Sequence, residues 1–230
     1  MFLGHVAVGF AAKRAAPRTS LTTLVFAVSL LDVLFPLFLW LGIESVRLQP
    51  GSTPFTRLDL DNYPYSHSLL LALAWSVLFA WAYLWRTRYA RGALIVGLGV
   101  LSHWVLDLVS HTPDMPLAPG GGSRLGLGLW NSTWGTVLVE VAMFVVGVGL
   151  YLRTTRARGW AGHLSLWFMV ALLALLYVGN VLGPPPPDPQ AMRVVGLAYP
   201  LLLLLFIWVD RTRELRAGPP IHGTGAAVKP

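Results

Sequence analysis

The stretch GALIVGLGVLSHWVLDLVSHTPD, residues 92–114, is long enough to cross a bilayer, yet its second half carries His103, Asp107 and His111 at intervals of four. A hydrocarbon core takes about 20 predominantly apolar residues, so this stretch reads as a transmembrane helix that ends before Pro113, which cannot continue it. Four residues advance a helix by only about 40° beyond a full turn. The three ionisable side chains therefore share one stripe and can face a bundle interior together.

Composition widens this reading to the whole chain. Apolar residues make up 55% of the 230 and charged residues 12%, against about 25% charged in a soluble domain. The chain reads as an integral membrane protein, an all-α polytopic bundle. Cysteine is absent, which excludes disulfides and thiolate metal sites. The net charge of +7 is spread over loops rather than gathered into a block that would grip nucleic acid.

Six stretches are candidates for spans: 21–43, 66–86, 92–111, 134–152, 160–182 and the shorter 194–209. The start, MFLGHVAVGFAA, is apolar but too short to cross, and it lacks a basic leader and a small-residue cleavage site. It reads as a retained half-helix dipping into the bundle. Basic residues cluster in alternate connections: Lys13, Arg14 and Arg18; Arg86, Arg88 and Arg91; Arg153, Arg156 and Arg158; Arg211, Arg213 and Arg216. Because Lys and Arg stay on the cytoplasmic side, both termini are expected in the cytoplasm. The loops 44–65, 112–133 and 183–193 then face outward. Residues 1–216 form one domain, and 217–230, with no apolar period, read as a disordered cytoplasmic tail. GPPPPDP reads as a stiff surface connection.

Depth follows from the rise of about 1.5 Å per residue: Asp32 and His103 sit roughly 18 Å from the cytoplasmic end of their helices, and Asp107 one turn further. Glu140 falls at a similar height and His67 and His111 nearer the outer surface, while the half-helix brings in His5. A lone Asp at such depth costs roughly 3 kcal/mol, so several together need mutual compensation. A divalent cation offsets carboxylates and accepts imidazole nitrogens, and His and Asp without Cys suit zinc first, then manganese or iron. His5, His67, His103 and Asp107 are the candidate ligands, with Asp32 or Glu140 as a further ligand or general base. His111 and Asp114, where Pro113 ends the helix, are additional ligands or solvated rim residues. Each of these residues also has a plainer reading, as interhelical hydrogen-bonding glue. His163 and His222 read as incidental.

LGH at the start, LLDVLFP around Asp32, YSHSLLLAL around His67 and LGVLSHWVLDLVSHTPDMPL around His103 and Asp107 resemble the ordered motifs of the membrane-bound metal-dependent hydrolase family. In that family an N-terminal histidine, a Pro-Asp-Ile-Asp-His block, a His-Arg-x-x-Thr-His-Ser block and a Ser-His-x-x-x-Asp block follow in this order. The likeness covers roughly the first half of the chain and is incomplete. Leu34 and Phe35 stand where a second Asp and a His would be, and Asn62 and Tyr63 replace the His-Arg pair. YPYSHSLL and SHWVLDL are also similar to a divergent branch of bacterial integral membrane proteins.

The resemblance implies a hydrolase of the bacterial inner membrane. Placing the cluster in the outer half of the bilayer points to a lipid or lipid-linked substrate, with membrane lipids as the partners. Arg124, Trp130 and Asn131 in the Gly-rich outer loop are candidate substrate contacts. The competing class is a small ion- or proton-coupled transporter using the same buried cluster. Such folds carry inverted repeats and Gly- or Pro-broken helices at matching places in two halves, and neither is legible here.

Overall fold

The computed structural model describes residues 1–48, 53–56, 58–184 and 188–216, so the tail expected to be disordered lies outside the described residues. The chain is helical almost throughout. Helix α1 (Leu3–Ala15) is 13 residues long, about 20 Å, too short to cross. Apart from His5 and the basic pair Lys13 and Arg14 it is apolar, and Leu3, Val6, Ala7 and Phe10 are each buried to 2% exposure or less. Such a helix belongs inside a bundle, and α1 packs there against α7, α2 and α6, given below.

The first expected span is broken. Helices α2 (Leu21–Val28) and α3 (Leu30–Trp40) meet at Ser29 with a 58° bend. Ser20 caps α2 by accepting the Thr23 amide, and Asp210 accepts the amides of Leu21 and Thr22 at 2.7 and 2.8 Å. Pro36 inside α3 has no amide to offer the Asp32 carbonyl one turn back. Strands β1 (Ser45–Leu48) and β2 (Leu58–Asn62) form an antiparallel pair leading into the single turn α4 (Pro64–His67). Ser68 then caps α5 (Leu69–Thr87), so His67 precedes the second span rather than lying inside it.

Arg88, in the left-handed conformation with φ 55°, closes α5, and α6 (Ala90–Ser110) runs back and ends three residues before Pro113. The paired strands β3 (Met115–Pro116) and β4 (Arg124–Leu125) and a 3-10 turn at Leu129–Asn131 lead to α7 (Thr133–Thr154), capped by Ser132. Strand β5 (Thr155–Ala157), α8 (Gly159–Leu182), α9 (Pro189–Thr212) and β6 (Arg213–Leu215) complete the described chain. β5 pairs with β6, where buried Arg213 donates to the Gly162 carbonyl at 3.0 Å and to Thr155 Oγ1 at 3.2 Å.

Among the described residues, four helices are long and apolar enough to cross a membrane, α5, α6, α7 and α8, and five spans result if the bent α2–α3 pair is one. The sixth expected span falls in α9, which has 24 residues, about 36 Å, and several of its side chains lie outside the described set. The exposed faces carry large apolar side chains such as Trp81, Leu138, Val145 and Leu175, as a lipid-facing surface requires. Exposed tryptophans stand at helix ends, Trp40 and Trp134 at one end of the bundle and Trp85 and Trp160 at the other, in keeping with interfacial belts.

Two apolar clusters hold the helices, one around Phe10, Phe144, Tyr151 and Leu173, the other around Leu24, Leu31, Val96 and Trp104. Glycine permits a close approach of α1 and α7: a Cβ on Gly147 of α7 would run into the backbone of Ala7 on α1. Gly99 of α6 similarly admits Val28, the last residue before the break.

Alternating basic loops yield a topological test. Reporter fusions at Gly51, Gly121 and Pro186 are expected to read as external, and those at Thr87, Thr155 and the C-terminus as cytoplasmic. An external C-terminus would mean that α9 does not cross.

Candidate metal centre

The break at Ser29 shapes the site. The last four carbonyls of a helix have no partner within it, and the Val28 carbonyl is taken instead by His103 Nδ1 at 2.7 Å. Asp32 follows in the first turn of α3. His103 and Asp107, one turn apart on α6, bring Nε2 and Oδ2 to 2.9 Å. His5, carried in on α1, stacks face to face on His103 with ring centroids 3.7 Å apart and places its Nε2 3.0 Å from Asp107 Oδ1. His67, at the end of α4, puts Nε2 3.7 Å from Asp107 Oδ2 and 3.8 Å from Asp32 Oδ1.

Five of the expected site residues therefore converge: His5, Asp32, His67, His103 and Asp107. Two overlapping sets, His5, His103 and Asp107, and Asp32, His67 and His103, each bring their donor atoms within 4.8 Å of one another. Both sets use His103, and one imidazole nitrogen offers one lone pair. The α-amino group of Met1 also donates to Asp107 Oδ1, at 2.8 Å. The three imidazoles and Asp107 are at most 5% exposed, while the Asp32 side chain keeps 37% of its surface accessible.

The remaining candidates lie at the edge of this cluster or apart from it. Glu140 is fully buried, and its Oε2 accepts the Gly4 amide at 3.1 Å at the start of α1. A carboxylate there answers both the unpaired amides and the helix dipole, so Glu140 holds the half-helix that carries His5. His111, just past the end of α6, points Nδ1 at Asp114 Oδ1, 3.0 Å away, and keeps Nε2 3.9 Å from Asp107. Tyr63 donates to the same Asp114 oxygen at 3.0 Å. Burial, reinforced by Asp114, pushes this phenol far above its ordinary pKa, so it remains a donor.

Trp130 lies against the His111 ring at 4.1 Å, and the amides of Leu127 and Gly128 cap the carbonyls of Leu108 and His111. The Gly-rich loop is thus fastened over the C-terminal end of α6. Of its three candidate substrate contacts, Arg124 lines a cavity of about 180 Å³ together with Asn62, Tyr63 and Gly121. Trp130 packs on His111, and the Asn131 amide closes a turn on the Gly128 carbonyl.

The YdjM inner membrane protein family model matches residues 64–182, just over half of the chain. The chain belongs to the YdjM inner membrane protein family. No curated protein and no solved structure matches it. The matched segment of this family member includes His67, His103 and Asp107; His5 and Asp32 come from the preceding helices.

Two residues near the cluster are not among the candidates read from the sequence. Glu44, at the end of the α3 loop, accepts the amides of Tyr65 and Ser66 at 2.8 and 2.7 Å, and its Oε2 accepts the Ser66 hydroxyl at 2.8 Å. Ser66 Oγ is in turn 2.7 Å from His67 Nδ1. A glutamate in a predicted outer loop looks like a solvated charge; only the fold shows it at 4% exposure.

The cap on α1 can be tested separately from the cluster. Glu140→Ala strands the buried Gly4 amide, a loss of about 1–3 kcal/mol, and is expected to lower the melting temperature. Glu140→Gln keeps an acceptor and is expected to remain near wild type in the same melt.

Proposed function

We propose that this membrane protein is a metal-dependent hydrolase whose cation is held by His5, His67, His103 and Asp107, with Asp32 as an added ligand or general base. One observation carries the reading. His103 must donate from Nδ1, because the Val28 carbonyl can only accept. Its Nε2 is buried, 2.9 Å from one carboxylate and 3.6 Å from another, yet makes no aligned hydrogen bond. A proton placed on that nitrogen would serve Asp107 alone. A divalent cation at that nitrogen would face both carboxylates, and zinc is the first candidate for such a hard and borderline mixture.

When bound, such an ion supplies Lewis acidity and lowers the pKa of a coordinated water toward about 7. The protein's own contribution is placement. Val28 fixes the His103 ring, Glu140 fixes the helix that carries His5, and Asp32, the accessible carboxylate, is positioned to take a proton from an entering water. The accessible edge also bears on the substrate. Asp32 lies within a broken apolar span, where an exposed carboxylate facing lipid tails would be costly, and a polar group of a lipid or lipid-linked ester, phosphate or amide suits that edge.

A second reading has an observation of its own. The 58° break beside a buried ionisable cluster is the kind of discontinuity that ion- and proton-coupled transporters use. Among the described residues, no second bent pair matches it. Ion flux in proteoliposomes, without hydrolysis of any lipid, would favour this alternative.

Metal analysis decides between metal binding and interhelical glue. Purified wild-type protein is expected to carry about one transition-metal ion per chain, following the single His103 lone pair shared by both donor sets. His103→Gln and Asp107→Asn, which keep size and polarity, are expected to lose it while remaining folded. Trp104→Phe, the neighbour on α6, is expected to keep it. Metal-free wild type, or full retention in the Gln and Asn variants, would overturn the proposal.

A further inference from the structure

Hydrogen-bond direction is determined at several atoms around His67. Glu44 Oε1 is filled by two backbone amides, and its Oε2 lies 2.8 Å from Ser66 Oγ. A serine hydroxyl has one proton and a carboxylate only accepts, so Ser66 gives that proton to Glu44. The other oxygen near Ser66 Oγ, the Tyr63 carbonyl at 3.4 Å, is also an acceptor and leaves the outcome unchanged. His67 Nδ1, 2.7 Å from the same Oγ, must therefore be the donor. A neutral imidazole protonated on Nδ1 has a bare Nε2, and that Nε2 faces Asp32 and Asp107.

We infer that Glu44 and Ser66 are positioning residues which fix the tautomer of His67, so that Nε2 is presented to the cation as a lone pair. The inference rests on the metal reading above for its purpose, though not for its geometry. It gives His67 through two side chains what the Val28 carbonyl gives His103 directly. Outer partners of this kind typically alter metal affinity about 10–100-fold. Their placement is also economical in chain: Glu44 leaves the α3 helix that carries Asp32, and Ser66 is the immediate neighbour of His67.

The relay makes an ordering that simple packing would not. In Glu44→Gln the two amides retain the side-chain carbonyl at the Oε1 position, so the NH₂ group occupies the Oε2 position and donates to Ser66. The serine proton then turns to His67 Nδ1, and the imidazole proton moves to Nε2, where the cation would bind. Ser66→Ala removes the relay and leaves both tautomers open. The isosteric Gln variant should therefore be the more damaging, and the double variant Glu44→Gln/Ser66→Ala should return to the level of Ser66→Ala.

The test uses the full chain in detergent, titrated with cobalt(II) and followed by its visible absorption, alongside nitrogen-15 NMR of labelled histidine in the metal-free protein. Expected are a bare Nε2 on His67 in the wild type, a protonated Nε2 in Glu44→Gln, and cobalt affinity about 10–100-fold weaker in that variant, with a smaller loss in Ser66→Ala. Misfolding caused by losing Glu44 would persist in the double variant, whereas the tautomer effect would be relieved. Wild-type affinity in Glu44→Gln, or a double variant as weak as Glu44→Gln, would overturn the inference. Wild-type protein that binds no cobalt would remove the metal reading, and the NMR spectrum would still decide the tautomer.

Discussion

A carboxylate enclosed in an apolar bundle must be matched by positive charge or by donors, and Asp107 is where this structure meets that demand. Its oxygens lie within 3.0 Å of the Met1 amine, His5 and His103, and within 4 Å of His67 and His111. Isolated, the charge would cost roughly 3 kcal/mol or more. The matching groups come from three helices, α1, α4 and α6 with the residue that follows it, and from the chain start. A short helix has to enter the bundle to bring His5, a span has to break to bring Asp32 and free a carbonyl for His103, and a single turn has to end at His67.

The same economy governs helix ends. Amides exposed at a helix start inside a bundle have no water to bond, and here carboxylates from other elements take them. Glu140 of α7 serves α1, Asp210 of α9 serves α2, and Glu44 serves α4. Each acid joins two elements and sits near a positive dipole end. Among the described residues, acids within the bundle thus include some gathered at the cluster and others that anchor helix starts. The sequence offers no simple way to separate the two, because all are carboxylates in or near apolar runs.

What was legible follows periodicity. His103, Asp107 and the apolar spans obey helical spacing, and counting depth brought His5, Asp32 and His67 to the same slab, where the structure places their donor atoms together. Depth alone also put Glu140 there, but a height says nothing about direction, and Glu140 faces the start of α1. The break at Ser29 was hidden because LTTLVFAVSLLDVLFPLFLW stays apolar across it. Pro36 marks the disturbance one turn past Asp32 rather than at the bend. Ser66 and Glu44 were hidden because their contact spans 22 residues and a strand pair.

The departures from the hydrolase-like motifs have a physical counterpart in the wall of the cluster. Phe35, where the resemblance would place a histidine, stands edge-on to His67 at 5.8 Å, and Tyr63, in place of an arginine, at 5.3 Å. Two positions that could carry polar or charged groups instead supply aromatic surface against an imidazole. Tyr63 turns its hydroxyl away to Asp114, so the side facing the cluster is apolar. Closed by these rings and by the Trp130–His111 pair at the loop end, the cluster retains accessible carboxylate surface at Asp32. With aromatic surface on one side and one carboxylate exposed on another, polarity is concentrated toward the Asp32 edge. Under the hydrolase reading proposed above, that asymmetry would suit a ligand with one polar group and an apolar remainder, as a membrane lipid has.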